Sequence, residues 1–326
     1  MAFDRKTGRR VWEHTVREEV PHEGSHRDAS LASGSPVTDG EHLVANFGSR
    51  GLYCFDAQGK LIWEKNLGDM RTRHGFGEGG SPALHGNTLV VNWDHEGESF
   101  IVALDKRTGR ELWRKPRDEV TSWSTPLVVE QQGRPQAVVT ATRRVRAYDL
   151  ANGEVVWECG GLGANCIPSP VAGFGMIYAM SGYRDKALLA IRYADAKGDL
   201  TGSEAVVWSR DEGTPYVPSP LLHGDRLYYL DKNSALLSCF DAKTGVAHYT
   251  KQRLEKINGV YASPVGVGQR LYVAGRDGTT YVLKNASEFE VLAVNELEDG
   301  FDASPAIAGD ELYLRGRKYL YCIARD

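Results

Sequence analysis

A Ser-Pro or Thr-Pro dipeptide recurs along this chain with Pro at 36, 82, 126, 170, 220, 264 and 305, in steps of 41–50 residues. A fixed period of that length means one supersecondary unit copied several times. Each copy holds four short runs of β-branched or aromatic residues, separated by Gly, Asp and Asn turns. The second reads SPALHG, TLVVNWD, SFIVALDK and ELWRK; the fifth reads SPLLHGD, RLYYLDK, LLSCFDA and VAHYTK. No comparable stretch has the 3.6-residue period of an amphipathic helix. Four strands in about 45 residues describe a blade of a β-propeller, WD40-like in architecture. The expected fold is therefore all-β: a seven-bladed propeller of four-stranded blades, forming a single domain over 1–326. The blades fall near 35–66, 81–115, 124–159, 169–210, 219–252, 263–296 and 304–326 plus 9–15, with an insertion in the fourth around 194–203.

A second marker is A-x-D-x-x-T-G-x-x-x-W, complete at Ala103–Trp113 and Ala2–Trp12. The frame returns at Ala147–Trp157, and weaker copies run Cys54–Trp63 and Cys239–Tyr249. Two strands flank a turn in which Gly tolerates positive φ. Trp12, Trp63, Trp113, Trp157 and Trp208 are expected to pack between blades. The last unit stops after YLYCIA without a fourth strand, while Arg10–His14 reads as a fourth strand without a blade. Pairing the two closes the ring and removes open edges. Met1–Asp4 reads as the tail of another third strand, which points to a longer parent with an eighth blade and a secretion signal.

Lys plus Arg number 39 and Asp plus Glu 43, a net charge of −4. That balance gives no electrostatic footprint for nucleic acid, and no apolar run reaches the roughly 20 residues of a transmembrane segment. The five Cys do not form an even disulfide framework. Cys54, Cys239 and Cys322 share one repeat position and read as buried thiols; Cys159 and Cys166 read as free thiols close enough to pair.

The repeated frame resembles that of the pyrroloquinoline quinone (PQQ) dehydrogenases and their non-enzymatic relatives, such as the outer-membrane assembly lipoprotein BamB. The resemblance spans nearly the whole chain and implies a bacterial protein whose parent is exported or periplasmic. The quinone enzymes commonly carry a disulfide between adjacent cysteines and calcium ligands on inserted loops. This chain has no Cys-Cys pair and short loops, so no PQQ is expected. A shared fold leaves function to be argued from the site.

Two loop sets should ring a propeller's axis: those leading into each blade and those joining second to third strands. They hold a His and carboxylate cluster of His22, His26, Asp28, His74, Glu78, Asp94, His95 and Glu96. Imidazole with carboxylate suits Zn, Mn, Fe or Ca; solvated loop side chains bonding to turn backbone are the alternative. The same loops carry Arg50, Arg73, Arg143, Arg184, Lys232, Arg276 and Arg315. These would grip an anion, unless Asp94, Asp185, Asp231 and Asp277 pair with them. Trp93, Trp123, Tyr183, Tyr216 and Tyr261 supply stacking faces, or plug the channel. No G-x-S-x-G elbow, H-E-x-x-H helix or P-loop is present. Ser33, Ser35, Ser81 and Ser124 are assigned to backbone hydrogen bonds.

The leading expectation is a monomeric binding module for an anionic small molecule, glycan or protein segment. A metal-assisted hydrolase of phosphate or sulfate esters is the alternative, with His22, His26, Asp28, His74 and Asp94 on the ion. An assembly scaffold using the blade edges is the third.

Overall fold

Alternating apolar runs, each closed by a Gly or Asp turn, become short antiparallel strands. The computed structural model describes residues 1–324. The first sheet is a hairpin of β1 (Ala2–Phe3) and β2 (Arg10–Trp12). Blade one holds β3 (Val37–Thr38), β4 (His42–Asn46), β5 (Leu52–Asp56) and β6 (Leu61–Lys65). Blade two holds β7 (Ala83–His85), β8 (Thr88–Trp93), β9 (Phe100–Asp105) and β10 (Glu111–Pro116). Blade three holds β11 (Leu127–Gln131), β12 (Arg134–Thr140), β13 (Arg144–Asp149) and β14 (Val155–Gly160). Blade four is β15 (Val171–Gly173), β16 (Met176–Ser181), β17 (Ala187–Arg192) and, after the short β18 (Gly198–Asp199), β19 (Val206–Arg210). Blade five is β20 (Leu221–His223), β21 (Arg226–Leu230), β22 (Leu236–Asp241) and β23 (Ala247–Arg253). Blade six is β24 (Val265–Val267), β25 (Arg270–Ala274), β26 (Thr279–Lys284) and β27 (Val291–Glu296). Blade seven has three strands, β28 (Ala306–Ala308), β29 (Glu311–Arg315) and β30 (Leu320–Ile323). The fold is the expected all-β, seven-bladed propeller of mostly four-stranded blades. Its chain divides into two compact units, 1–142 with 146–156 and 143–145 with 157–326.

One expectation about the ends is corrected. Among the described residues β2 pairs with β1 in a sheet of two strands. The cause is local: Asp4 Oδ1 accepts the Thr7 amide at 2.8 Å, so the first copy of the frame closes its own hairpin. A loop this short is closed at little entropic cost.

In the first unit, the frame couples each blade to the next. The Trp63 indole donates to Lys106 O at 2.7 Å, and Trp113 donates to Leu150 O at 2.8 Å. Each ring lies on the turn glycine of the following blade. A Cβ on Gly109 would fall 2.7 Å from the Trp63 ring, and one on Gly153 would fall 2.5 Å from Trp113. Trp12 does the same to Gly59. These glycines therefore answer two demands, positive φ and the absence of a side chain. In the turn itself Asp105 Oδ1 accepts the amides of Arg107 (2.9 Å) and Thr108 (3.2 Å).

The second unit repeats the device, with Trp208 donating to Ala242 O at 3.1 Å over Gly245 and Tyr249 meeting Phe289 at 5.6 Å. The insertion has a use. β18 lies parallel to β14, with Trp157 opposite Gly198, and so adds a fifth strand to blade three. Trp157 is fully buried. Ser-Pro is the third connector: Ser169, Ser219 and Ser263 each donate their amide to the hydroxyl of the next blade's serine, at 3.0, 2.9 and 2.9 Å. Ser35 does so to Ser81 in the first unit, at 2.8 Å. Cys54 and Cys239 are buried as expected, and burial pushes the Cys54 thiol up to about 11. Cys159 and Cys166 are buried thiols that donate to Gly160 O and Met180 O, at 3.5 and 3.4 Å. Cys322 is exposed instead, because β30 is a third strand with no fourth strand outside it among the described residues.

Candidate functional site

In the first unit the cluster of eight metal candidates does not converge. Asp94 is buried in an ion pair with Arg117, at 2.6 Å to Nε and 3.0 Å to Nη2, and both side chains are 0% exposed. Ser122 and Asn92 complete its shell at 2.6 and 3.0 Å, and Arg117 continues to the Tyr148 hydroxyl. Desolvation works against the Arg117 charge, but Asp94, Tyr148 and Glu119 together outweigh it and raise the guanidinium pKa. His95 is buried, with its Nδ1 accepting the Arg71 amide at 3.1 Å and its Nε2 at 3.2 Å from Glu98 O. Glu96 accepts from the Thr121 hydroxyl at 2.8 Å. His26 Nδ1 accepts the Asp28 amide, and its ring meets Phe76 edge-on at 5.4 Å. His74, at φ 55°, also lies against Phe76.

Among the described residues only His22, Glu23 and Glu78 gather ligand atoms, all within 4.8 Å of one another. Glu23 carries no sequence signal of its own, since its partner Thr72 lies 49 residues away. The group's hydrogen bonds give it another role. His22 Nε2 donates to Met70 O at 2.6 Å while Nδ1 accepts from Arg50. Glu23 accepts the Thr72 amide at 3.0 Å, and Glu78 accepts the Ser49 amide at 2.6 Å. Arg50 also pairs with Glu19 at 2.5 Å and Asp69 at 3.5 Å. The loop 13–34 is thus latched to its own unit, and a metal ion would have to displace Arg50 or Met70 from the imidazole. The adjoining cleft, lined by Asn46, Gly48, Met70, Glu78 and Asn92, has room for an ordered water.

Three of the five stacking candidates are committed to the fold. Trp93 is 1% exposed and stacks on Phe100 at 5.8 Å. Trp123 donates to Gly77 O at 2.8 Å. Tyr261 lies under Arg276, which bonds to Asp302 at 2.6 Å. Arg73 is half-buried in a 3-10 turn, and Arg315 is exposed at the end of β29. The acids expected to pair with the cations do other work: Asp231 is 3.9 Å from Lys186, and Asp277 accepts the Asn258 amide at 2.8 Å.

The second unit is arranged differently. Its loops are laid backbone on backbone. A Cβ on Gly163 would fall 2.3 Å from Asp185 O, and one on Gly182 would fall 2.2 Å from Pro215 O. The Arg143 amide faces Gly163 O at 3.4 Å, the Lys232 amide donates to Thr214 O at 2.9 Å, and Tyr216 donates to Lys232 O at 3.3 Å. This stacking sets Arg143, Arg184 and Lys232 on successive loops, all three exposed. Arg143 and Lys232 stand at φ 77° and 54°. Their side chains and that of Arg184 make no hydrogen bond or ion pair among the described residues. Arg184 lies over the Tyr183 ring at 5.4 Å, and Tyr183 meets Tyr216 at 5.2 Å. Tyr183 is 38% exposed. Burial raises the Tyr216 hydroxyl pKa against a hydrogen bond from Asn165.

Comparison with known proteins agrees with this architecture. The family model described as outer membrane protein assembly factor BamB, built on the PQQ-type repeat, matches residues 1–251 and 97–326. The chain belongs to this family. No curated protein matches its sequence significantly. Among solved structures, BamB from Moraxella catarrhalis has a TM-score of 0.52 at 16% identity, over 89% of this chain and 93% of that one. The quinohemoprotein alcohol dehydrogenase from Comamonas testosteroni has a TM-score of 0.64 at 10% identity, over 96% of this chain. This chain spans 66% of that enzyme. At these identities the likeness is one of fold. No helix of the described chain is long and apolar enough to cross a membrane.

Proposed function

We propose that this BamB-type propeller is a binding scaffold that holds a protein segment on the loops of blades three to five. One observation carries the reading: Arg143, Arg184 and Lys232 stand exposed and unbonded around the Tyr183–Tyr216 pair. Exposed cations and aromatic faces together are a recognition surface, whereas Arg50, Glu78 and Asp94 of the first unit are committed to internal bonds. The surface is open, which suits a macromolecular segment better than an enclosed small molecule. The family's assembly role supports the same class of partner, and an exported or periplasmic location belongs to the proposal. Capture of partners by the native chain and by a Tyr183→Ala/Tyr216→Ala variant tests it. A partner held by the first and lost by the second is expected; equal capture by both would place the binding surface elsewhere.

A second reading keeps a divalent ion at His22, Glu23 and Glu78, favoured by the convergence of their ligand atoms. Metal analysis before and after chelation decides it, with a stoichiometric ion lost in a Glu78→Gln variant as the supporting result. No hydrolytic step is derived there, because Asp94 is tied to Arg117 and His26 and His74 lie against Phe76.

A further inference from the structure

We infer that the segment bound on blades three to five is acidic and extended, an inference that rests on the scaffold reading above. Four cations face the surface from three consecutive loops: Arg143, Arg184, Lys186 and Lys232. The acids among them are Asp185, exposed, and Asp231, which is 3.9 Å from Lys186. The surface therefore keeps a positive balance, although the whole chain is at −4. That asymmetry is local and structural. In the same unit Arg276 and Arg317 share Asp302, at 2.6 and 3.0 Å, so a carboxylate offsets part of their charge, whereas nothing equivalent meets Arg143, Arg184 or Lys232.

An exposed cation without a partner gives little to folding, since surface ion pairs and single surface charges have small effects on stability. Charge complementarity across an interface instead sets on-rate and selectivity. Arg143, Arg184 and Lys232 come one per loop from adjacent blades, so an anionic partner must reach across successive blades to meet all three. An extended chain with carboxylates spread along it does so. Tyr183 offers its face to an apolar or planar side chain between those carboxylates, and Arg184, stacked on it, is pre-positioned for a bidentate contact.

The experiment uses the full chain and three labelled peptides of equal length with a central Tyr, one rich in Asp and Glu, one with Asn and Gln in their places, one with Lys. Fluorescence anisotropy should show the acidic peptide binding about tenfold or more tightly than the neutral one, with affinity falling as salt is raised from low to physiological. Arg184→Ala/Lys232→Ala should weaken acidic-peptide binding about tenfold at unchanged melting temperature. Arg184→Glu/Lys232→Glu should transfer preference to the Lys peptide. Equal binding of acidic and neutral peptides, abolished by Tyr183→Ala, would overturn the acidic specificity and leave the scaffold reading standing. Failure of all three peptides, with partner capture unaffected by Tyr183→Ala/Tyr216→Ala, would overturn both. Tighter binding of a polyuronate than of the acidic peptide would reassign the surface to anionic glycans.

Discussion

The loop residues of the two units are built from the same kinds of side chain and put them to opposite uses. In the first unit Arg50 is held by Glu19, Asp69 and His22, and Asp94 is sealed against Arg117. In the second, Arg143, Arg184 and Lys232 are left to solvent on loops whose backbones are locked by close contacts at Gly163 and Gly182. Charge in the first unit organises the loops. Charge in the second is presented by loops that the backbone has already organised. A surface meant for recognition needs that second arrangement, because its side chains must remain available while their anchors stay fixed.

The comparison can be broken most severely at Asp94. Removing one partner of a buried ion pair leaves the other uncompensated, so Asp94→Ala should cost about 3–5 kcal/mol in denaturant unfolding. Arg184→Ala should change stability by less than about 0.5 kcal/mol in the same assay. Similar losses for both would erase the distinction between the units. A smaller effect is expected from Gly182→Ala. Its Cβ would strike Pro215 O at 2.2 Å, and forced packing of this kind costs about 1–3 kcal/mol. Partner or peptide binding should weaken along with stability, since Tyr183 and Tyr216 sit on the two loops being pushed apart; intact binding would show that the cations act without the backbone lock. A smaller loss than at Gly182 belongs to Ser263→Ala, which removes the hydroxyl that accepts the Ser219 amide at 2.9 Å. Loss of one such bond should cost about 1 kcal/mol, measured as a shift in the denaturation midpoint with no change in binding.

The blades were legible because their signals are periodic: Pro spacing, strand alternation and the frame from Ala103 to Trp113 repeat, and repetition separates pattern from accident. Sequence also placed Trp63, Trp113 and Trp208 against neighbouring blades and gave Ser81 its backbone role. It misplaced β2, because a fourth strand with no blade looks the same whether its partner is β1 or β30. Sites were harder. Trp93 and Tyr183 occupy comparable loop-mouth positions, yet one stacks inward on Phe100 and the other stays exposed. Asp94 resembled a ligand because Arg117, 23 residues later, follows an ordinary fourth strand with nothing to mark it as a partner. Which charges are neutralised depends on contacts between separate copies of the repeat, and a pattern found within one copy does not contain them.

Trp12, Trp63, Trp113 and Trp208 rest on Gly59, Gly109, Gly153 and Gly245, each a glycine of the following copy. At those joints one copy carries the plug and its successor the socket. A duplication or deletion of one full period preserves the match wherever its endpoints fall, whereas a change of half a period strands a plug without a socket. Blade number in such a chain can drift by whole units through copying errors, while the joint between neighbours is inherited unchanged.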